Sequence, residues 1–215
     1  MCTNYRAGSR DFIRESFGLA ADFEYVDETY PAYVAPIIRK TALGNDCQPA
    51  CFGLIPHWAR DTKISRSTYN ARSETVAEKP SFRHAWRQRQ FCLVPMRGFY
   101  EPNYDSGRAV RWRIERSGGE EFCVAGIWES WRAPTAQHVL SFSMLTINAD
   151  GHPLMQRFHA PGDEKRSIVV VAEEHYEAWL GADAEQARQL LNNFDAGAFA
   201  TVADPRPRAA RRPAA

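Results

Sequence analysis

The sequence predicts a single α+β domain built around a curled, largely antiparallel β-sheet or barrel with flanking helices. Three observations carry that expectation. Val110, Trp112 and Ile114 alternate with Arg111, Arg113 and Glu115, the period-two pattern of a strand with one buried and one wet face. Val139 to Ile147 is a long strand pattern with Leu140, Phe142 and Met144 on one side, and Ile168 to Val171 is continuously apolar. Helical patterns are short and outnumbered by strands, and no repeat or linker divides the chain before about residue 204.

In chain order, Ser9 is placed to cap a helix running to about Gly18, with Phe12, Ile13 and Phe17 on one face. Tyr30 to Arg39 reads as extended, since Pro31 and Pro36 exclude a helix. Gly44 to Pro49 reads as a polar connection, Ala50 to Ile55 as a short apolar strand and Asp61 to Ser67 as a polar loop. Asn70 opens a polar segment that Pro80 interrupts, and a short helix follows from Ser81. Phe91 to Pro95 and Arg97 to Glu101 read as strands around Met96. The Gly118-Gly119 turn should return the 110–115 strand to a partner at Phe122 to Trp131. Asn148 to Lys165 is irregular. Two helices, about 173–180 and 183–193, precede an extended piece near Phe199 to Val202. The domain is thus expected over 2–203. From Asp204, arginines among Pro and Ala read as a disordered basic tail, 204–215.

Composition narrows the class. At 215 residues, 44% hydrophobic and 25% charged, the chain has the make-up of an ordinary globular protein with a full core. There is no signal-peptide pattern and no apolar run long enough to span a bilayer, so a cytoplasmic or nucleoid-associated monomer without membrane contact is expected. Five cysteines, at 2, 47, 51, 92 and 123, are odd in number and widely spread, which argues against a disulfide framework. Cys47 and Cys51 offer half a metal site with no second pair or nearby histidine to complete it, so no metal and no cofactor are expected. The net charge is +1, but only four of 27 basic residues are lysines, leaving 23 arginines. Arginine suits phosphate and flat rings, although a GC-rich coding sequence gives the same bias.

Met1-Cys2 is the most informative stretch. Removal of Met1 would leave a free amine and a thiol on adjacent carbons, a 1,2-aminothiol with unperturbed pKa values of roughly 7.7–8.0 and about 8.5. Such a pair attacks an aldehyde twice, through an imine to a five-membered thiazolidine. While Met1 is present, Cys2 is an ordinary residue. Glu101 ends the RGFYE stretch among aromatic rings, where desolvation would suit it to proton transfer; a surface glutamate at a strand exit is the plainer reading. Asn70 can bind a sugar hydroxyl and Arg72 a phosphate, or Asn70 can simply cap a helix. Phe52 and Trp58 resemble a stacking platform for unpaired bases, with burial in the core as the alternative. His152 and His159 lie in an irregular segment after a core strand, where function is common. His57, His84, His138 and His175 read as structural.

In order along the chain, Cys2, FGLIPHWA at 52–59, NARSET at 70–75, FCLVPMRGFYEP at 91–102 and SFSMLTINA at 141–149 resemble the SRAP family of abasic-site-processing proteins. That resemblance implies a compact domain with a curled sheet, a positive cleft for single-stranded DNA containing abasic sites, and a thiazolidine crosslink formed by an exposed Cys2. It implies Cys2 as nucleophile, Asn70 as the residue orienting sugar or N-terminus, Glu101 as general acid/base and His159 as the assisting histidine, with His152 an open second choice. It also implies DNA contacts from Arg72, Phe52, Trp58, Pro36 and Arg166. The chain departs from the family at Met-Cys-Thr-Asn, where Asn4 or Arg6 must serve for the usual arginine if a contact is needed, and at Pro102, where a tryptophan is common. Two other classes stay open: an N-terminal-nucleophile amidohydrolase or protease that removes its own Met1, and a passive single-strand binder.

Overall fold

In the computed structural model, which describes residues 2–206, the chain is a closed β-barrel with helices on its outer wall. The elements are β1 (Tyr5–Ala7), α1 (Arg10–Phe17), β2 (Glu28–Thr29), β3 (Val34–Thr41), β4 (Gly44–Phe52), β5 (Asn70–Arg72) and α2 (Arg83–Arg87). They continue with β6 (Phe91–Asn103), β7 (Val110–Arg116), β8 (Phe122–Arg132), β9 (His138–Asn148), β10 (Arg166–Ile168), β11 (Val170–Val171), α3 (Tyr176–Gly181), α4 (Ala184–Gln189) and β12 (Phe199–Ala203). Five strands close the ring in the order β8-β9-β4-β3-β6 and back to β8. All of those pairings are antiparallel except β4 with β9.

Closure explains why β6 reads as an apolar run rather than an alternation. Cys92, Val94 and Met96 face a lumen filled by Tyr5, Phe52, Phe99 and Phe142, while Phe91 and Leu93 face Trp86, Ile127 and Trp179 under the helices. Both faces are therefore buried. Phe52 stacks on Phe142 at 5.2 Å between ring centroids and meets Tyr5 edge-on at 5.3 Å. Burying each such ring contributes about 1.5–3 kcal/mol.

Local signals delimit α1 as expected, while the expected helices at 173–180 and 183–193 are shorter, at Tyr176–Gly181 and Ala184–Gln189. The Ser9 hydroxyl accepts from the Phe12 amide at 3.0 Å, and Gly18 closes α1 at φ 66°. Asp183 and Gln186 form a capping box on α4.

Four expectations about elements change. Gly44 to Pro49 is not a connection but the first part of β4, held by full pairing with β3 despite its polar residues. Asn70 caps no helix: it lies in β5, which runs parallel to β9 with Asn70 opposite Met144. Strands β7 and β8 do not pair with each other; β8 uses Phe91–Met96 of the long β6, and β7 uses Phe99–Asn103 and β12. Alternation reveals a buried face, not the neighbour along the edge. The 168–171 run splits into β10 on β9 and β11 on β8.

The chain continues past β12 in contact with the barrel: the Asp204 amide donates to the Arg111 carbonyl at 3.0 Å, and Arg206 pairs with Glu28 and Tyr30. Residues 207–215, the rest of the expected tail, lie outside the described residues. No helix among the described residues is long and apolar enough to cross a membrane.

Candidate active site

One end of the barrel gathers the N-terminus, the end of β6, the start of β5 and the loop after β9. Strand β1 pairs with β6, Tyr5 opposite Phe99, and the Tyr100 amide donates to the Asn4 carbonyl at 3.0 Å. This places Cys2 next to the β6 segment that ends in Glu101. From β5, the Asn70 side-chain amide donates to the Cys2 carbonyl at 2.8 Å. The Asn70 side-chain oxygen is buried and has no hydrogen-bond partner among the described residues. A buried acceptor left in that state is costly and is kept where a ligand completes it.

His159 arrives from the other side. Its amide donates to the Pro102 carbonyl at 3.0 Å, Phe158 bridges Asn103, and the Asn103 side chain donates to the Arg157 carbonyl at 3.0 Å. The His159 backbone sits at φ 66°, a left-handed conformation that costs a residue with a Cβ about 1 kcal/mol. Its ring lies with Nε2 3.5 Å from Glu101 Oε2.

These groups share little water. Cys2 is 1% and Glu101 3% exposed. Burial, with the Glu101 charge adding to it, pushes the Cys2 thiol up to about 12. Burial also raises the Glu101 carboxyl above its usual value and lowers His159 to about 4. Desolvation is the largest cause at both groups and favours the neutral form of each. A buried Cys2 thiol whose Sγ donates to the Asn4 carbonyl at 3.5 Å is the opposite of an activated thiolate.

His152 takes a different part. Its Nδ1 accepts from the Leu154 and Met155 amides at 3.2 Å, and Nε2 lies 2.8 Å from the Phe194 carbonyl. It pins the loop after β9 and is fully used in doing so.

The residues expected to touch DNA divide. Phe52 and Pro36 are buried, Phe52 in the lumen and Pro36 opposite Pro49 in the β3–β4 pair, so neither offers a surface to a base. Arg166 is also buried: its guanidinium meets both Glu74 oxygens at 2.7 and 2.9 Å, Glu164 at 2.9 Å and the Thr146 carbonyl at 2.8 Å. Its guanidinium is thus engaged by protein partners. Arg72 is exposed and pairs with Glu164 at 2.8 Å. Trp58 is 50% exposed, its indole donating to the Pro80 carbonyl at 3.3 Å.

Two residues escaped the sequence reading. Arg111, on the wet face of β7, donates to Asn4 Oδ1 at 2.8 Å, pairs with Glu28 and lies 3.4 Å over the Tyr100 ring. With Asn4, Tyr30, Glu101, Pro102 and Arg206 it lines an open cleft at the mouth of the site. Arg111 thus brings a guanidinium to Asn4 from another strand. Tyr69, edge-on to Phe52, sits near enough to Cys2 and Glu101 that both charges help burial raise its hydroxyl. Neither signal is local: Asn4 and Arg111 are 107 positions apart.

Together these features define a single-domain β-barrel protein whose second residue is enclosed by a carboxylate, an imidazole and a carboxamide. The chain belongs to the SOS response associated peptidase (SRAP) family, whose profile matches residues 1–203. It is 31% identical over 207 residues to the abasic site processing protein YoqW of Bacillus subtilis, covering 91% of this chain and 88% of that protein. It is 28% identical over 179 residues to the mouse abasic site processing protein HMCES, covering 68% of this chain and 49% of that longer protein. A solved structure from Bordetella bronchiseptica superposes with TM-score 0.87 at 32% identity, over 94% of this chain and 99% of that one. Another, from Bacteroides thetaiotaomicron, gives 0.81 at 23% identity over 94% and 91%, a likeness of fold alone.

Proposed function

We propose that this protein processes abasic sites in single-stranded DNA by forming a thiazolidine crosslink through Cys2, made N-terminal by loss of Met1. The observation that carries the reading is the convergence of Cys2, Asn70, Glu101 and His159 in one desolvated end of the barrel. The printed names of the curated relatives support the substrate.

An abasic sugar is mostly a closed hemiacetal, so a donor and an acceptor of protons speed its opening. A carboxyl with a raised pKa and a neutral imidazole 3.5 Å away supply both, an effect of about 10²–10⁴-fold. Asn70 holds the Cys2 carbonyl and offers its unpartnered oxygen to the α-amine or to a sugar hydroxyl. The thiol is strongly protonated, so the amine attacks first: carbon–nitrogen bond formation at the aldehyde expels one water and leaves an imine. The thiol then adds across the imine, sulfur to carbon and proton to nitrogen, closing the ring. Ring closure removes the imine before β-elimination can cut the strand. Arg111, beside the cleft, and Arg72, by exchanging Glu164 for a phosphate, would hold the backbone.

An N-terminal-nucleophile amidohydrolase would use the freed α-amine as base for the thiol and would turn over amide substrates. The test mixes the protein with single-stranded DNA bearing one abasic site and runs a denaturing gel. A heat-stable adduct lost in Cys2→Ala supports the reading; an unreduced, heat-stable adduct retained in Cys2→Ala overturns it, as does salt-sensitive binding indifferent to the lesion.

A further inference from the structure

Away from the cleft, three side chains converge where the loop after β4, helix α2 and strand β8 meet. His57, His84 and Glu129 each bring one ligand atom to within 4.8 Å of the others, the one such group of His, Cys, Asp or Glu among the described residues. The Glu129 side chain is 4% exposed, whereas those of His57 and His84 are 51% and 41% exposed. Both imidazoles aim Nδ1 at the same carboxylate oxygen, Oε2, at 3.8 Å from His57 and 2.8 Å from His84, and their rings lie 4.3 Å apart. Two imidazolium ions at that spacing would repel each other. Two neutral imidazoles sharing a cation with the carboxylate would not.

We propose that His57, His84 and Glu129 bind a divalent late transition metal, with zinc, cobalt and nickel the fitting ions. Ligand bonds of about 2.0–2.1 Å in a tetrahedron put donor atoms about 3.3 Å apart, between the two distances seen here. Two nitrogens and one carboxylate select such ions over calcium or magnesium, which prefer oxygen alone. The ligands are held in place. The Ile55 amide donates to Ser141 Oγ at 2.8 Å just before His57, and the Trp131 indole donates to the Ala59 carbonyl at 2.8 Å just after it. Ser141 Oγ also donates to the Glu129 carbonyl at 3.4 Å. Gly53, at φ 115°, turns the chain out of the barrel so closely that a Cβ would lie 1.9 Å from the Ser65 carbonyl oxygen, which fixes the root of the loop. The exposed histidines leave an entry path and a fourth position for water. Occupancy would tie the loop bearing Trp58 to α2 and β8.

The test is a Co²⁺ titration of the metal-stripped full chain, followed by calorimetry and visible absorption. One equivalent should bind saturably with d–d bands of tetrahedral strength and without the near-ultraviolet band of a cobalt thiolate. His57→Ala should weaken binding about tenfold or more, and Glu129→Gln should do the same. His57 is half exposed, so its variant keeps the test valid if Glu129→Gln misfolds. Absence of saturable binding, a thiolate band that persists in His57→Ala, or unchanged affinity in that variant would overturn the proposal.

Discussion

Two glutamates of the same barrel, Glu101 on β6 and Glu129 on β8, are both nearly sealed from water and both face a histidine, yet their surroundings suit opposite tasks. At Glu101 the histidine is largely enclosed, its side chain 10% exposed, on a left-handed backbone. Desolvation governs there, pushing acid and base toward neutrality beside Cys2. At Glu129 the imidazoles stand half in water and the closer contact is 2.8 Å. On the two proposals made above, the same two residue types would serve proton transfer where the histidine is enclosed and cation binding where it is not.

The comparison can be broken by substitution, and Cys2→Ala has the largest expected effect, complete loss of the heat-stable adduct on a denaturing gel. Glu101→Gln should slow adduct formation in a quenched time course by about 10²–10⁴-fold, because the proton donor to the sugar is gone. Arg166→Ala removes a buried guanidinium that pairs with two partly exposed carboxylates and should cost about 1–3 kcal/mol in denaturant unfolding while leaving the salt dependence of DNA binding unchanged.

The remaining predictions concern stability against pH. His159 has its folded pKa lowered to about 4 from 6.5, so the neutral ring contributes stability above about pH 6.5 that is lost as the pH falls through about 4. The loss is up to about 3 kcal/mol, and His159→Gln should flatten that limb of a Tm profile. Glu101 has the opposite sign: its raised folded pKa means stability is greatest in acid and declines as the carboxyl ionises. Glu101→Gln should therefore gain Tm over the parent as pH rises from about 4 to 7. Glu129→Gln loses a charge-assisted contact to a half-exposed histidine and should instead cost about 1–2 kcal/mol. If both glutamine variants shift Tm the same way at neutral pH, the contrast between the two sites fails.

Sequence was most legible where chemistry or geometry is local. Ser9 and Gly18 delimit α1 by their own capping, and the residue types at 2, 70, 101 and 159 stand out through short motifs. Residue type says what a side chain can do when exposed, and not whether it is exposed. Phe52, Pro36 and Arg166 look like stacking and phosphate groups, but barrel closure buries all three. The polar start of β4 has poor strand propensity and forms because β3 pairs along its whole length. Arg111 was hidden as one more wet-face residue, since its partner Asn4 comes near only when β1 and β7 flank β6. His57 and His84 read as structural for the same reason: Glu129, on a distant strand, gives them a common target.

The central claim is that amine and thiol of one residue both become bonded to the lesion. Intact-mass analysis of the unreduced, heat-treated crosslink tests it directly. The account predicts a mass equal to the chain without Met1 plus the abasic oligonucleotide minus one water, and no such species from Cys2→Ala. A crosslink that retains Met1, or one of equal stability from Cys2→Ala, would contradict it.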